Sequence, residues 1–295
     1  MFSVQEPSPM QLERPPESRL YTFVDRRREF ALYFLEGQRL IHDLALIHPV
    51  RGAGFAYFRD AVLSVQPMIA LLKPGEQLGF YIDSIEPFFR LKIETAQQGA
   101  VRSTLMPEAF SEFPQEMRGL VRVLKLFPNN RPPYQSVLEV EGLPLGSIVN
   151  RVLRDSYQVH AAIEVSEPSD QSLMLLQLPP LTGDDWEYSP RAVAERREQI
   201  ADGVQRIFAR GLIEAPEIAA AFDEMGFQSL GRRDVRFVCS CSRERMVHNI
   251  RLACGEQSLD LFEPHQEALD ITCEYCKTHY HVTRDDLRQA PGAPN

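Results

Sequence analysis

The first 238 residues contain no cysteine at all. Nowhere does the chain string together the roughly 18 apolar residues that a membrane-spanning helix requires. The first twenty residues are polar, carry Pro7, Pro9, Pro15 and Pro16, and lack the apolar core of a secretory signal. We therefore expect a cytoplasmic protein with no membrane association. Positive charge is also in short supply: 32 Lys and Arg against 41 Asp and Glu give a formal net charge of −9. That balance argues against general nucleic-acid binding, which depends on cations neutralising phosphates. The sequence has no internal repeat, no low-complexity tract, no nucleophile elbow and no phosphate-binding glycine loop, so nothing in it points to an enzyme.

What is present suits a globular fold. A chain of 295 residues with 44% hydrophobic and 25% charged content is ordinary in composition. It is long enough to bury a core without disulfide staples. The prolines make residues 1–18 read as a flexible arm. From Tyr21 to Leu46 the spacing of Phe30, Phe34, Ile41 and Leu44 predicts a helix, with Arg26, Arg27 and Arg28 on its solvated face. A second helix is expected over Phe55–Leu72, interrupted near Pro67 and closed by Pro74 and Gly75. Strand-like text follows at Leu78–Ile82, Phe88–Ile93, Val101–Leu105, Leu120–Leu126 and Tyr134–Val140. The alternation of Phe89, Leu91 and Ile93 with Arg90 and Lys92 marks a half-buried strand. A helix over Gly146–Tyr157 and a final strand pair, Ala161–Val165 and Leu173–Leu178, complete an α+β core domain over 19–183.

Composition changes from Asp184, and residues 184–235 read as a helical linker. Ser189 and Pro190 supply an N-cap and first helical position; Val193, Ile200, Val204, Ile207 and Phe208 follow at helical spacing, and Gly211 ends the helix. A shorter helix near Pro216 should bury Ile218, Phe222 and Met225 before Gly226. The apolar face of this linker must rest on something, most simply the sheet of the core domain.

The five cysteines are confined to the last part of the chain, and four of them fall within 38 residues. Cys239-Ser240-Cys241 is followed, after 31 residues, by Cys273-Glu274-Tyr275-Cys276. Four thiolates in tetrahedral reach suit zinc, and in a chain of this kind they suggest metal or redox chemistry before structural disulfides. A C-x-x-C turn points two sulfurs at one ion, and Lys277, Tyr280 and Val282 lead from it into a short strand. Residues 236–288 are thus expected to form a small zinc-binding module, followed by a flexible tail at 289–295. By count, 236–288 hold seven Lys and Arg and nine Asp and Glu, which again weighs against nucleic acid. The zinc can be read as a plain structural clip, whose binding energy of roughly 10–16 kcal/mol is largely folding energy. It can also be read as a switch, because zinc holds the sulfurs as the thiolates that oxidants attack. Cys254 reads as a small buried hydrophobe at a helix end. His248, His265, His279 and His281 read as solvated or turn residues, with His279, three residues past Cys276, the one best placed to substitute for a ligand.

The stretch from Val238 through Arg245, the helix ending near Gly255, and Ile271-Thr272-Cys273-Glu274-Tyr275-Cys276 together resemble the 33-kilodalton heat-shock protein family of redox-regulated holdase chaperones. Weaker similarity extends over Pro133–Ser136, Gly146–Tyr157 and Leu173–Pro179. The pattern departs from the family at Arg154-Asp155-Ser156-Tyr157 and at Gln171-Ser172. The resemblance implies an inactive reduced form with Zn2+ on Cys239, Cys241, Cys273 and Cys276. It implies that oxidation forms the disulfides Cys239–Cys241 and Cys273–Cys276, releases zinc and unfolds module and linker. It further implies ATP-independent binding of unfolding client proteins and a homodimer in the oxidised state. A structural zinc-ribbon binding module, or a divergent family member active without oxidation, is the alternative.

Overall fold

The computed structural model describes residues 14–108, 112, 114–129, 131–180, 187–211 and 214–288. Most of the proline-rich arm, Asp184 at the start of the linker, and the tail at 289–295 lie outside the described residues.

The chain opens with a hairpin, β1 (Arg19–Asp25) and β2 (Phe30–Glu36), where a helix is expected from the sequence. The four-residue step from Phe30 to Phe34 fits a helix, but four is also even, so it fits a strand equally well. β2 lies inside a sheet with both faces covered: Leu32 and Phe34 point into one core and Leu35 into another. A strand buried on both faces loses its alternation and becomes a near-continuous apolar run. Arg26, Arg27 and Arg28 are exposed as expected, but on the hairpin turn rather than on a helix. Asp25 closes that turn by accepting the backbone N–H groups of Glu29 at 2.8 Å and Phe30 at 3.1 Å. The remainder of the expected segment, with Ile41 and Leu44 buried, does form a helix, α1 (Gln38–Ile47).

The next elements follow the sequence reading closely. α2 (Ala53–Val65) passes into a 3-10 turn at Gln66–Leu71, with Pro67 at its start. Then come β3 (Gln77–Glu86), β4 (Phe89–Ala96), β5 (Ala100–Met106), β6 (Glu116–Leu126) and β7 (Tyr134–Pro144). α3 (Leu145–Asp155), β8 (Ala161–Val165) and β9 (Gln171–Gln177) complete this part. The linker supplies α4 (Pro190–Arg210) and α5 (Ala215–Glu224), then two strands without a sequence signal, β10 (Phe227–Asp234) and β11 (Arg236–Phe237). The module contains α6 (Arg243–Cys254), a 3-10 stretch at Gly255–Leu261, β12 (Ala268–Thr272), β13 (His279–Thr283) and α7 (Arg284–Arg288).

These strands make a five-stranded sheet in the order β10-β1-β2-β9-β8, a six-stranded sheet in the order β11-β5-β4-β3-β6-β7, and the hairpin β12-β13. One core joins the inner face of the six-stranded sheet to α1, α2, α3 and one face of the five-stranded sheet; Phe58, Phe80, Phe89 and Leu91 are among its buried members. A second core covers the other face of the five-stranded sheet. There Val193, Ile200, Val204, Ile207 and Phe208 of α4 and Ile218 and Phe222 of α5 pack on Tyr21, Phe23, Phe34 and Leu175. The linker therefore rests on the sheet, as its apolar stripe requires. Its caps are those expected: Ser189 Oγ accepts from Ala192 N, and Gly211 takes a left-handed φ of 56° while donating to the carbonyls of Ile207 and Phe208. Met225 is only partly buried.

β10 pairs antiparallel with β1, and a bulge between Thr22 and Phe23 leaves Leu230 unpaired and 66% exposed. The linker then crosses the β4–β5 turn at Gly99. The φ of Gly99 is +92°, and a Cβ there would lie 1.9 Å from the carbonyl oxygen of Asp234. Only glycine admits this close approach.

Candidate metal centre

β11 pairs parallel with β5, Arg236 opposite Ala100 and Phe237 opposite Val101, and Val238 N donates to Val101 O at 2.8 Å. This backbone tie ends one residue before Cys239. Ser242, just after Cys241, caps α6 by accepting from Arg245 N at 3.2 Å. The C-x-C half is thus the extended joint between a strand fixed to the core and a capped helix, the geometry two nearby sulfurs need to converge.

The C-x-x-C half is the turn between β12 and β13. Cys273 N donates to Thr278 O at 2.9 Å and Lys277 N donates to Cys273 O at 2.9 Å. Lys277 adopts a left-handed φ of 59°, which folds the turn back into β13. Cys273 is buried, and Cys239, Cys241 and Cys276 are half-buried.

All four sulfurs lie within 4.8 Å of one another. Cys239 Sγ is 3.8 Å from Cys273 Sγ, and Cys241 Sγ is 3.2 Å from Cys276 Sγ. A tetrahedral thiolate site with metal–sulfur bonds of about 2.3 Å has sulfurs about 3.8 Å apart. The donor set and its spacing therefore suit a metal ion of zinc's preferences, and all four cysteines expected as ligands are brought together. Cys254 sits at the last residue of α6 outside this group, and it is half-buried rather than buried as its sequence context suggests. His279 is not a fifth member: its Nδ1 lies 2.9 Å from Thr272 Oγ1 across the β12–β13 hairpin. His281 pairs with Asp270.

Their surroundings act differently on the thiols of Cys239, Cys241 and Cys276. Burial pushes Cys239 up to about 12, and contacts with Cys276 and Cys273 add to that rise. Cys241 is also raised, chiefly by burial, although Tyr280, whose hydroxyl lies 3.0 Å from its sulfur, works the other way. For Cys276 burial acts upward but is outweighed. The hydroxyl and backbone N–H of Thr278, together with the neighbouring thiols, hold it down to about 6. One sulfur is thereby poised as a thiolate near neutral pH, the form that binds metals and attacks oxidants.

The module has little else to hold it. Its core has three buried hydrophobic side chains, Phe262, Val282 and Leu287, with residues such as Met246, Ile250 and Leu269 partly buried around them. No residue of α6 is buried, and Leu252 is 72% exposed. The guanidinium of Arg284 over the Phe262 ring, 4.7 Å from its centre, and Arg243 donating to His281 O at 3.0 Å supplement this core. Sequence reasoning did not reveal where the turn residues Glu274, Tyr275 and Lys277 go. Their partners, Lys92, Glu94, Arg102 and Glu108, are ordinary surface charges separated from them by more than 150 positions, and no local signal connects the two sets.

No helix among the described residues is long and apolar enough to cross a membrane. Comparison with known proteins places this geometry in context. The family model described as Hsp33 protein matches residues 18–283. A 33 kDa chaperonin of Geobacter sulfurreducens is 24% identical over 269 residues, covering 85% of this chain and 87% of the relative. One from Pelobacter propionicus is 24% identical over 236 residues, covering 75% and 76%. The crystal structure of the 33 kDa chaperonin (Hsp33) of Thermotoga maritima superposes with a TM-score of 0.69 at 12% identity, over 92% of this chain and 97% of that one, and so shares the fold. With a family model spanning nearly all the described residues and a four-cysteine cluster assembled in the same chain, the protein belongs to the Hsp33 family.

Proposed function

We propose that this chain is a redox-activated holdase: closed when Cys239, Cys241, Cys273 and Cys276 hold zinc, and opened when those cysteines are oxidised. In this reading 19–183 is the core, 184–235 the linker and 236–288 the switch module. The observation that carries it is the convergence of four sulfurs from two distant segments in a module whose small apolar core is built on Phe262, Val282 and Leu287. So small a core is not secure by itself, and a cross-link between its halves is the natural source of its stability.

Bound zinc would keep the sulfurs as thiolates. In the oxidation itself, a thiolate attacks the O–O bond of peroxide, becomes a sulfenic acid and releases hydroxide; a second thiol then displaces that oxygen as water, leaving an S–S bond. Which sulfurs pair decides the outcome. A bond between Cys239 and Cys273 would join the two halves as the metal does and leave the module stapled. Pairing within each half, Cys239 with Cys241 and Cys273 with Cys276, removes the link between them, so oxidation unlatches the module.

The linker lies immediately upstream of the first pair. When the module loosens, the end of β10 loses its folded neighbour and keeps its pairing with β1, the bond from Val235 N to Ser18 O and the tie of β11 to β5; β10 is an edge strand with a bulge. Release of the linker would uncover the apolar faces of α4 and α5 and the matching sheet residues Phe23, Phe34 and Leu175. Such surfaces bind the exposed apolar segments of unfolding proteins and need no ATP to do so. We place this activity in the cytoplasm, without nucleic-acid or membrane partners, and with a homodimer forming in the oxidised state. Light scattering from a heat-denaturing client tests the proposal. Peroxide-treated protein should suppress aggregation and reduced protein should not; equal behaviour of the two forms would defeat it.

A further inference from the structure

The C-x-x-C turn does more than present two sulfurs. Its three neighbouring side chains each reach a different residue of the core. Glu274 pairs with Lys92 Nζ at 2.8 Å, the Tyr275 hydroxyl donates to Glu94 Oε1 at 2.8 Å, and Lys277 Nζ pairs with Glu108 Oε1 at 2.5 Å. The guanidinium of Arg102 lies over the Tyr275 ring, 4.4 Å from its centre. Lys92 and Glu94 are two apart on β4, and Arg102 is opposite Glu94 on β5, so strand periodicity puts all three on one face of the sheet.

We propose that this outward face of β4 and β5 is a preformed docking seat for the zinc turn, centred on Glu94, and that docking there governs how readily the module gives up its metal. The inference rests on the reading of the four cysteines as a zinc switch. Glu94 also accepts from Tyr81 at 3.0 Å and from Arg102 Nε at 2.7 Å. Both of these donors belong to the core. When the turn leaves, the carboxylate keeps them, so the seat survives undocking and can receive the turn again. A cleft of about 180 Å³ lies beside the contact, bordered by the Lys92–Glu274 and Lys277–Glu108 pairs. The turn is therefore held by polar contacts around a gap rather than by a packed apolar interface, which suits a contact meant to break. The other half of the site is tied to the same hairpin by a different means: backbone bonds from Arg236 N to Gly99 O in the β4–β5 turn at 2.9 Å and from Val238 N to Val101 O on β5 at 2.8 Å. Seated together on the β4–β5 hairpin, the two halves are held at the separation the four sulfurs need; if either comes free, the ligand set is easier to pull apart.

The test follows zinc transfer from the reduced protein to a chelating dye, without oxidant, alongside hydrogen exchange in β4 and β5. Tyr275→Phe removes one hydroxyl and keeps the ring under Arg102. Together with Glu94→Gln it forms a double-mutant cycle. Each single change should speed transfer about three- to tenfold, the range for losing one partly exposed polar contact, and the pair should do no more than the larger single change. Lys277→Glu should also speed transfer, and Glu108→Lys in the same chain should restore it. Unchanged transfer rates, additive effects or no rescue by the charge swap would overturn the proposal. Thermal melting of Glu94→Gln separates loss of docking from loss of the core, and Tyr275→Phe leaves the core untouched. If these rates shift as expected while oxidised protein holds no client, the docking stands and the switch reading falls. If the rates do not move while oxidised protein does hold client, the reverse follows.

Discussion

Phe222 is the residue on which the linker's attachment can be tested most sharply. It is fully buried in the second core, with its ring 4.6 Å from that of Phe23 and 5.3 Å from that of Phe34, centre to centre. Phe222→Ala removes the ring and leaves a cavity between α5 and the sheet. Such truncations cost about 3–5 kcal/mol, and aromatic pairs contribute about 0.5–1.5 kcal/mol of that beyond buried area. Even 3 kcal/mol lowers the ratio of docked to undocked linker more than a hundredfold, at about tenfold per 1.4 kcal/mol. Because Phe222 does not belong to the core shared by α1, α2, α3 and the six-stranded sheet, the loss should fall on the linker and not on the whole fold. Limited proteolysis of reduced F222A should cut within 190–234 far faster than in the parent, while near-UV signals of the main core persist. The same reduced protein should suppress client aggregation without oxidant. If F222A remained as resistant to protease as the parent and as inactive, linker release would not be the step that exposes the client surface.

Gly99→Ala should have a related effect from the other side. The left-handed backbone alone costs about 1–3 kcal/mol, and the added methyl would sit 1.9 Å from the Asp234 carbonyl, so β10 and β11 should detach more easily, measured as faster hydrogen exchange in 227–238. His48, buried near Lys277 and Glu108, should make stability depend on pH. Burial first, and the charge of Lys277 second, lower its pKa from 6.5 to about 4, so the unfolded chain takes up a proton before the folded one does. Its contribution is present above pH 6.5 and is lost as pH falls towards 4, so melting temperatures should drop across that window less steeply in His48→Gln than in the parent. Mass-spectrometric mapping of the oxidised protein should find Cys239–Cys241 and Cys273–Cys276. A bond joining the two halves would contradict unlatching, and one to Cys254 would show that this half-buried thiol enters the exchange.

The sequence made some of this visible and not the rest, for physical reasons that differ by residue. The clustering of Cys239, Cys241, Cys273 and Cys276 was legible because a metal-binding site constrains residue type and spacing together, and C-x-C with C-x-x-C has few other uses. α4 was legible from Ser189, Pro190 and Gly211, whose preferences are local. The β1–β2 hairpin was not: Phe30 and Phe34 satisfy two periodicities at once, and burial on both faces removes the alternation that would decide between them. β10 was missed because an edge strand with a single buried anchor, Phe227, and a bulge at Leu230 carries almost no pattern. The contacts of Tyr275 and Lys277 with Glu94 and Glu108 are products of tertiary placement, and no spacing along the chain encodes them.

In a redox-activated holdase of this design, loss of the metal and gain of holding activity are one event. The direct measurement is zinc release, read with a chromogenic chelator, and client aggregation, read by light scattering, in the same samples over a peroxide time course. Suppression of aggregation should rise as zinc leaves, and reducing the disulfides with zinc present should reverse both. Holding activity that is complete while zinc is still bound, or zinc loss that brings no activity, would contradict it.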